Sequence, residues 1–221
     1  MNNFTKVLLP SVVTLSLMAC GGGTKTPDAS TQQTTPVTPQ SAVTTMANAM
    51  TNAATGANAA AEEKMKERRA KGDTLAMPYA DLQKFLPASL DGYKADPMDG
   101  ASVNMGKMSY STANIKFKKD NGDWVKVAII DYNQAYQMYT TAAAVWGMGM
   151  SIDSPQEKAN SLKLDNTAGG WESYKKNTKD ASLALGVGSR FYVTVEANNQ
   201  ADVQNIESIA KSVDLAKLNT L

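Results

Sequence analysis

The stretch "KFKKDNGDWVK", residues 116–126, carries Lys116, Lys118, Lys119 and Lys126. Four ammonium groups at this spacing are candidate anion-binding residues, suited to an acidic polymer or a lipid headgroup. Lysines on strands have a plainer and commoner use, which is to keep a sheet edge from pairing with another chain. The chain has no histidine. That removes Ser–His and Cys–His nucleophilic catalysis, imidazole bases and ordinary zinc sites together. Neither G-x-x-x-x-G-K-[ST] nor G-x-G-x-x-G occurs. S-x-x-K occurs at Ser173 to Lys176 and at Ser208 to Lys211, without the S-D-N or K-T-G of Ser–Lys hydrolases. "DNGD" is the densest carboxylate cluster, but it lacks the alternating ligands and closing Glu of a calcium loop. "MGKM" and "WGMGM" offer the thioethers of Met105, Met108, Met148 and Met150. Thioethers suit Cu(I), although methionine more commonly fills gaps in a core. No catalytic residue, no metal ligand and no cofactor is assigned from these patterns.

Cys20 is the only thiol. It follows an uncharged run of 13 residues, "VLLPSVVTLSLMA" at 7–19, itself preceded by Lys6. This is the pattern of an export signal, too short for a membrane-spanning helix of ~20 apolar residues. The run ends Leu17-Met18-Ala19-Cys20, and this resembles the lipobox of bacterial lipoproteins. The resemblance covers about 23 residues. It implies cleavage between Ala19 and Cys20, a diacylglycerol on the thiol and a third acyl chain on the new amine. Gly21-Gly22-Gly23 suits a tether just outside a bilayer. Stable anchoring needs more than one acyl chain, and three exceed that requirement. By resemblance to sorting in diderm bacteria, Gly21 rather than Asp favours the outer membrane. The partner implied is the lipid bilayer through acylated Cys20.

Without residues 1–19 the chain has 202 residues (221 minus 19), and loss of Lys6 brings the net charge of +1 to about 0. A neutral chain is not steered to nucleic acid, so no nucleic-acid partner is expected. With Cys20 acylated no disulfide is possible. After Phe4 no aromatic residue occurs before Tyr79, and the other fourteen lie between Tyr79 and Tyr192. Residues 20–57 are mostly Thr, Ala, Asn, Gln, Pro, Ser and Gly, a composition that cannot offset its ordering entropy and predicts a disordered spacer. Residues 58–76, with "AAAEEKMKERRAKG", predict a charged helix, polar nearly all round and loosely attached.

Residues 77–221 form the expected globular domain. Asn121-Gly122 predicts a two-residue type I′ turn. That register sets Phe117 opposite Lys126, Ile115 opposite Ala128 and Ala113 opposite Ile130, all on one core face with Trp124. Asn114, Lys116 and Lys118 then share the other face with Val125, Val127 and Ile129. A helix is expected from about Asn133 to Trp146, with Tyr136, Tyr139, Ala143 and Trp146 aligned. Gly188-Ser189 predicts a type II′ turn in a second hairpin. Gly169-Gly170 falls in a further turn and strand. Residues 198–218 predict one amphipathic helix capped by Asn199 and burying Val203, Ile206, Ala210 and Val213. The fold class is α+β, an antiparallel sheet of hairpins with helices packed on it. "LPASLDGY", the charged hairpin and "SVDLAKL" are similar to a group of exported bacterial proteins of no assigned function, a resemblance that carries no catalytic residue.

The expected function is that of a lipid-anchored envelope lipoprotein with a non-catalytic binding role for an envelope polymer or protein. The alternatives are a histidine-free hydrolase using Ser, Lys or carboxylates, and a soft-metal binder. Cys20→Ser should abolish acylation and release the protein from membrane fractions. Fractionation with intact-mass measurement checks this, and a variant that still sediments with membranes would count against the anchor.

Overall fold

In the computed structural model the described residues are 61–106, 108–133, 149–165 and 168–221, with Ala59, Ala135 and Tyr139. The chain divides into a unit over Met1–Val37 and a second over Thr38–Leu221, and every described residue belongs to the second. The expected signal peptide, Cys20 and the spacer lie outside the described residues. So does most of the helix expected at 133–146.

The chain begins its described course as helix α1 (61–70), then α2 (Tyr79–Leu82), which runs into a 3-10 turn (Gln83–Phe85). Strands follow: β1 (Lys94–Ala95), β2 (Asp99–Met105), β3 (Met108–Lys118), β4 (Trp124–Asp131), β5 (Ser151–Asp153), β6 (Glu157–Leu164), β7 (Ala168–Lys175), β8 (Asp180–Val187) and β9 (Phe191–Ala197). Two short helices close it, α3 (Gln204–Ala210) and α4 (Leu215–Asn219). The structure is mostly sheet. The nine strands among the described residues join one antiparallel sheet in the order β1-β3-β4-β9-β8-β7-β6-β5, with β2 also pairing β3.

Period-two alternation builds the two faces. In β4 every second residue from Val125 to Asp131 is buried, and β3 and β9 alternate in the same way. Ala113, Ile115, Phe117, Val125, Val127, Ile129, Leu183, Leu185, Val193 and Val195 make the core side of the sheet. Leu82, Ile206, Ile209, Leu215 and Leu218 from the helices, and Leu86 just after the 3-10 turn, pack into the same core.

The β3–β4 hairpin differs from the expected register by one residue. Phe117 lies opposite Val125, and Lys116 opposite Lys126. The cause is the turn. Lys119 N–H donates to Asp123 C=O (2.8 Å) and Gly122 N–H to Lys119 C=O (3.1 Å), leaving Asp120, Asn121 and Gly122 in the loop. Gly122 has φ +92°, whereas Asn121 is not among the residues of positive φ. A turn followed by one left-handed glycine is the three-residue hairpin with a bulge, not a type I′ turn. A one-residue slip exchanges the faces of a strand. Trp124, Lys126, Ala128 and Ile130 therefore point away from the core, contrary to the expectation.

Other turns and helices depart from expectation for local reasons. Gly188 and Ser189 both have positive φ (61° and 53°), the signature of type I′ rather than II′. The C-terminal helix is two helices, because Asp214 caps α4 by accepting from Lys217 N–H (3.0 Å). Asn199 is no cap, having φ 51° in the turn before α3. Gly169 and Gly170 lie inside β7, and Gly170 is required there. A Cβ at Gly170 would stand 1.9 Å from Ala184 O, whereas one at Gly169 would find nothing closer than Leu162 O at 3.9 Å.

Gly170→Ala should therefore force β7 from β8 and lower stability by about 3 kcal/mol or more. Gly169→Ala should stay within about 1 kcal/mol of the wild type. Urea unfolding of both variants checks the contrast; equal midpoints would contradict the close approach.

Candidate functional site

The sheet reaches its final form through a buried ionic cluster at the end of β4. Asp131 is fully buried. Arg190, in the β8–β9 turn, donates to both its oxygens, Nε to Oδ1 (2.9 Å) and Nη2 to Oδ2 (2.7 Å). Met77 N–H and Asn133 N–H add bonds of 2.8 and 2.9 Å. Arg190 Nη1 also reaches Asp73 Oδ2 (2.7 Å), and Asn133 Nδ2 donates to Asp73 Oδ1 (2.7 Å). Burial pulls the Arg190 guanidinium down, but Asp131 and Asp73 outweigh it and leave its pKa raised. Arg68 of α1, buried itself, donates from Nε to Asn133 Oδ1 (3.1 Å). Burial first, and Arg190 next, lower its pKa. Residues 61–77 are thus bonded to the sheet through Arg68, Asp73 and Met77. The charged helix is solvated along most of its length, with seven of residues 61–70 exposed, but Arg68 bonds it to the end of the sheet rather than leaving it loose.

That framework presents the second face of the sheet. Across it the register forms one row, Lys116, Lys126, Glu196, Ser182 and Ser173, on adjacent strands β3, β4, β9, β8 and β7. Lys116 Nζ sits 4.6 Å from the Trp124 ring centre. Trp124 also lines a groove of about 270 Å³ with Ser173, Lys175, Asp180, Ser182 and Glu196. Ser173 Oγ and Ser182 Oγ share a hydrogen bond of 2.9 Å beside it. Lys126 makes no ion pair among the described residues.

The four candidate lysines therefore divide. Lys116 and Lys126 are direct cross-strand partners. Lys118 is paired with Asp96 (2.6 Å), and Lys119 Nζ lies 4.4 Å from the Tyr93 ring centre. None of the four guards an edge strand. β3 lies between β1 and β2 on one side and β4 on the other, while β4 lies between β3 and β9.

The remaining candidates are dispersed. Lys176 Nζ bonds Asp153 Oδ1 (2.7 Å) and Ser154 O (2.6 Å), while Ser173 bonds Ser182. Ser208 Oγ donates to Gln204 O (2.9 Å) on an exposed helix face. In "DNGD", Asp123 N–H donates to Asn121 Oδ1 (3.0 Å), and hydrogen bonds from Asn121 and Asn199 hold the Asp123 carboxyl below its usual range. Met105 and Met108 are cross-strand partners at an exposed hairpin tip, and Met148 lies outside the described residues. A comparison with protein-family models finds no match, and a comparison with curated proteins finds none.

The ionic cluster has no short-range motif, but it left one sequence signal. Asp131 continues the buried alternation Val125-Val127-Ile129, and a carboxylate at such a position requires a cationic partner. Asp131→Ala strands Arg190 and should cost about 3–5 kcal/mol. Asp73→Ala should cost less, about 1–3 kcal/mol, because Asp131 remains. A chain starting at residue 77 should melt below one starting at residue 60. Denaturant and thermal unfolding check all three, and a residue-77 chain of undiminished stability would contradict the role given to Arg68 and Asp73.

Proposed function

We propose that this chain is a lipid-anchored envelope protein whose α+β domain binds an anionic envelope polymer, without catalysis, on the outer face of its sheet. The observation that carries this is the pairing of Lys116 with Lys126. Like charges directly opposite each other on a sheet are destabilising. Neither strand is an edge, so protection against stray pairing does not account for them. A ligand carboxylate or phosphate laid between the two ammonium groups relieves the repulsion. Trp124 beside Lys116 adds an aromatic wall suited to the apolar face of a sugar ring. The lipobox-like sequence ending in Cys20 supports a location next to such polymers.

Sedimentation with purified peptidoglycan tests the proposal. Full-length protein should bind, and affinity should fall as salt rises. Lys116→Glu with Lys126→Glu should weaken binding about tenfold or more, equivalent to at least ~1.4 kcal/mol. Lys84→Glu, an exposed control on the 3-10 turn after α2, should leave binding unchanged. Equal binding by the double variant would refute the site. Retention on anionic vesicles but not on peptidoglycan would replace the polymer with a lipid headgroup.

A further inference from the structure

Glu172 stands on the core-facing side of β7, where the register places it between Asn160 of β6 and Leu183 of β8. It is 8% exposed, and its Oε2 is buried with no hydrogen-bond partner. The group that meets it from above is the Glu207 carboxyl of α3. α3 is fixed in this position by its apolar side, through Ile206, Ile209 and Ala210 in the core. Two ionised carboxylates can only accept hydrogen bonds, so neither can satisfy the other. With one proton between them, the same pair becomes a donor and an acceptor. The buried oxygen then has a partner.

We propose that Glu172 and Glu207 share one proton, and that this proton is the polar latch holding α3 on the sheet. Loss of the proton to solvent leaves two negative charges in contact under a helix of seven residues. Burial first, and contact with Glu207 second, push the Glu172 carboxyl up to about 7. The other groups that face it act the opposite way. Asn160, its cross-strand neighbour, and Lys158, both on β6, favour the charged form. Leu183 on β8 is apolar and offers no charge. A carboxyl raised in the folded state favours folding least when ionised. Stability should therefore fall as pH rises from the ordinary carboxylate range through about 7, then level off. The latch is independent of the lysine row, which lies on the opposite face.

Carboxyl ¹³C NMR titration of the full-length protein tests this, together with unfolding measured from pH 5 to pH 8. One of the two carboxyls should titrate near neutrality, and the folding constant should fall on the order of a hundredfold across that range. Glu172→Gln keeps a donor towards Glu207, and Glu207→Gln removes the opposing charge. Each should flatten the pH profile, and amide protection of residues 204–210 should then no longer drop at high pH. If both carboxyls titrate in the ordinary range in the wild type, the shared proton does not exist. If both variants keep the wild-type slope, the latch lies elsewhere. Stabilisation by millimolar calcium that disappears in both variants would show a cation in place of the proton and overturn the proposal.

Discussion

A carboxylate with no exposed surface sits at the end of β4, and the rest of the molecule is arranged to make that tolerable. Desolvating an ion costs several kcal/mol, and only close, well-directed partners offset it. Asp131 receives two bonds from one guanidinium and two from backbone N–H groups. Each partner comes from a different part of the chain. Arg190 belongs to the β8–β9 turn, Met77 to the segment after α1, and Asn133 to the exit of β4. Satisfying one side chain therefore fixes where β9 lies beside β4, although 59 residues separate Asp131 from Arg190. It also secures residues 61–77 against the sheet.

The β4–β9 pairing joins two local meanders, β2–β3–β4 and β5 to β9, into one sheet. Within each meander the contacts are between neighbours in sequence, and alternation alone specifies them. Between the meanders it does not. Val127 opposite Val195 and Ile129 opposite Val193 are interchangeable apolar pairs, and a shift by two residues would bury almost as much. Bidentate ion pairing is directional, so it discriminates where hydrophobic burial is indifferent.

The strands β3, β4, β7, β8 and β9 and the core face of β3 were legible in the sequence, whereas β2, β5 and β6 carried no strand expectation. Ala113, Ile115 and Phe117 are buried as alternation required. The face of β4 was not, because one turn set it. Asn-Gly fits a two-residue loop and also a three-residue loop with glycine last, and the two differ by one register step. The alternation of Val125, Val127 and Ile129 was the better guide, since burial of three β-branched side chains outweighs a turn preference. The same step decided the candidate site. With the expected register Lys116 and Lys126 sit on opposite faces, and in the structure they are neighbours. The break between α3 and α4 was hidden because Val213 and Leu215 continue an apolar pattern through Asp214, whose cap is a local hydrogen bond. The ionic cluster was illegible in outline, because its members lie at 68, 73, 131, 133 and 190 and no local spacing relates them.

The Lys116–Lys126 pair has a consequence for how this surface can change. Most surface positions can drift towards whatever residue suits the strand, because nothing opposes the gain. Here a β-branched residue at either position would suit the sheet better than lysine, removing repulsion and adding strand propensity. Glu196 opposite Lys126 and the Trp124 ring under Lys116 offset part of that repulsion, and what remains is confined to two side chains. A search for thermostable variants with no ligand present would select replacements at these two positions early. It would return a sturdier domain with its distinctive surface erased, and the substitutions recovered first would map that surface.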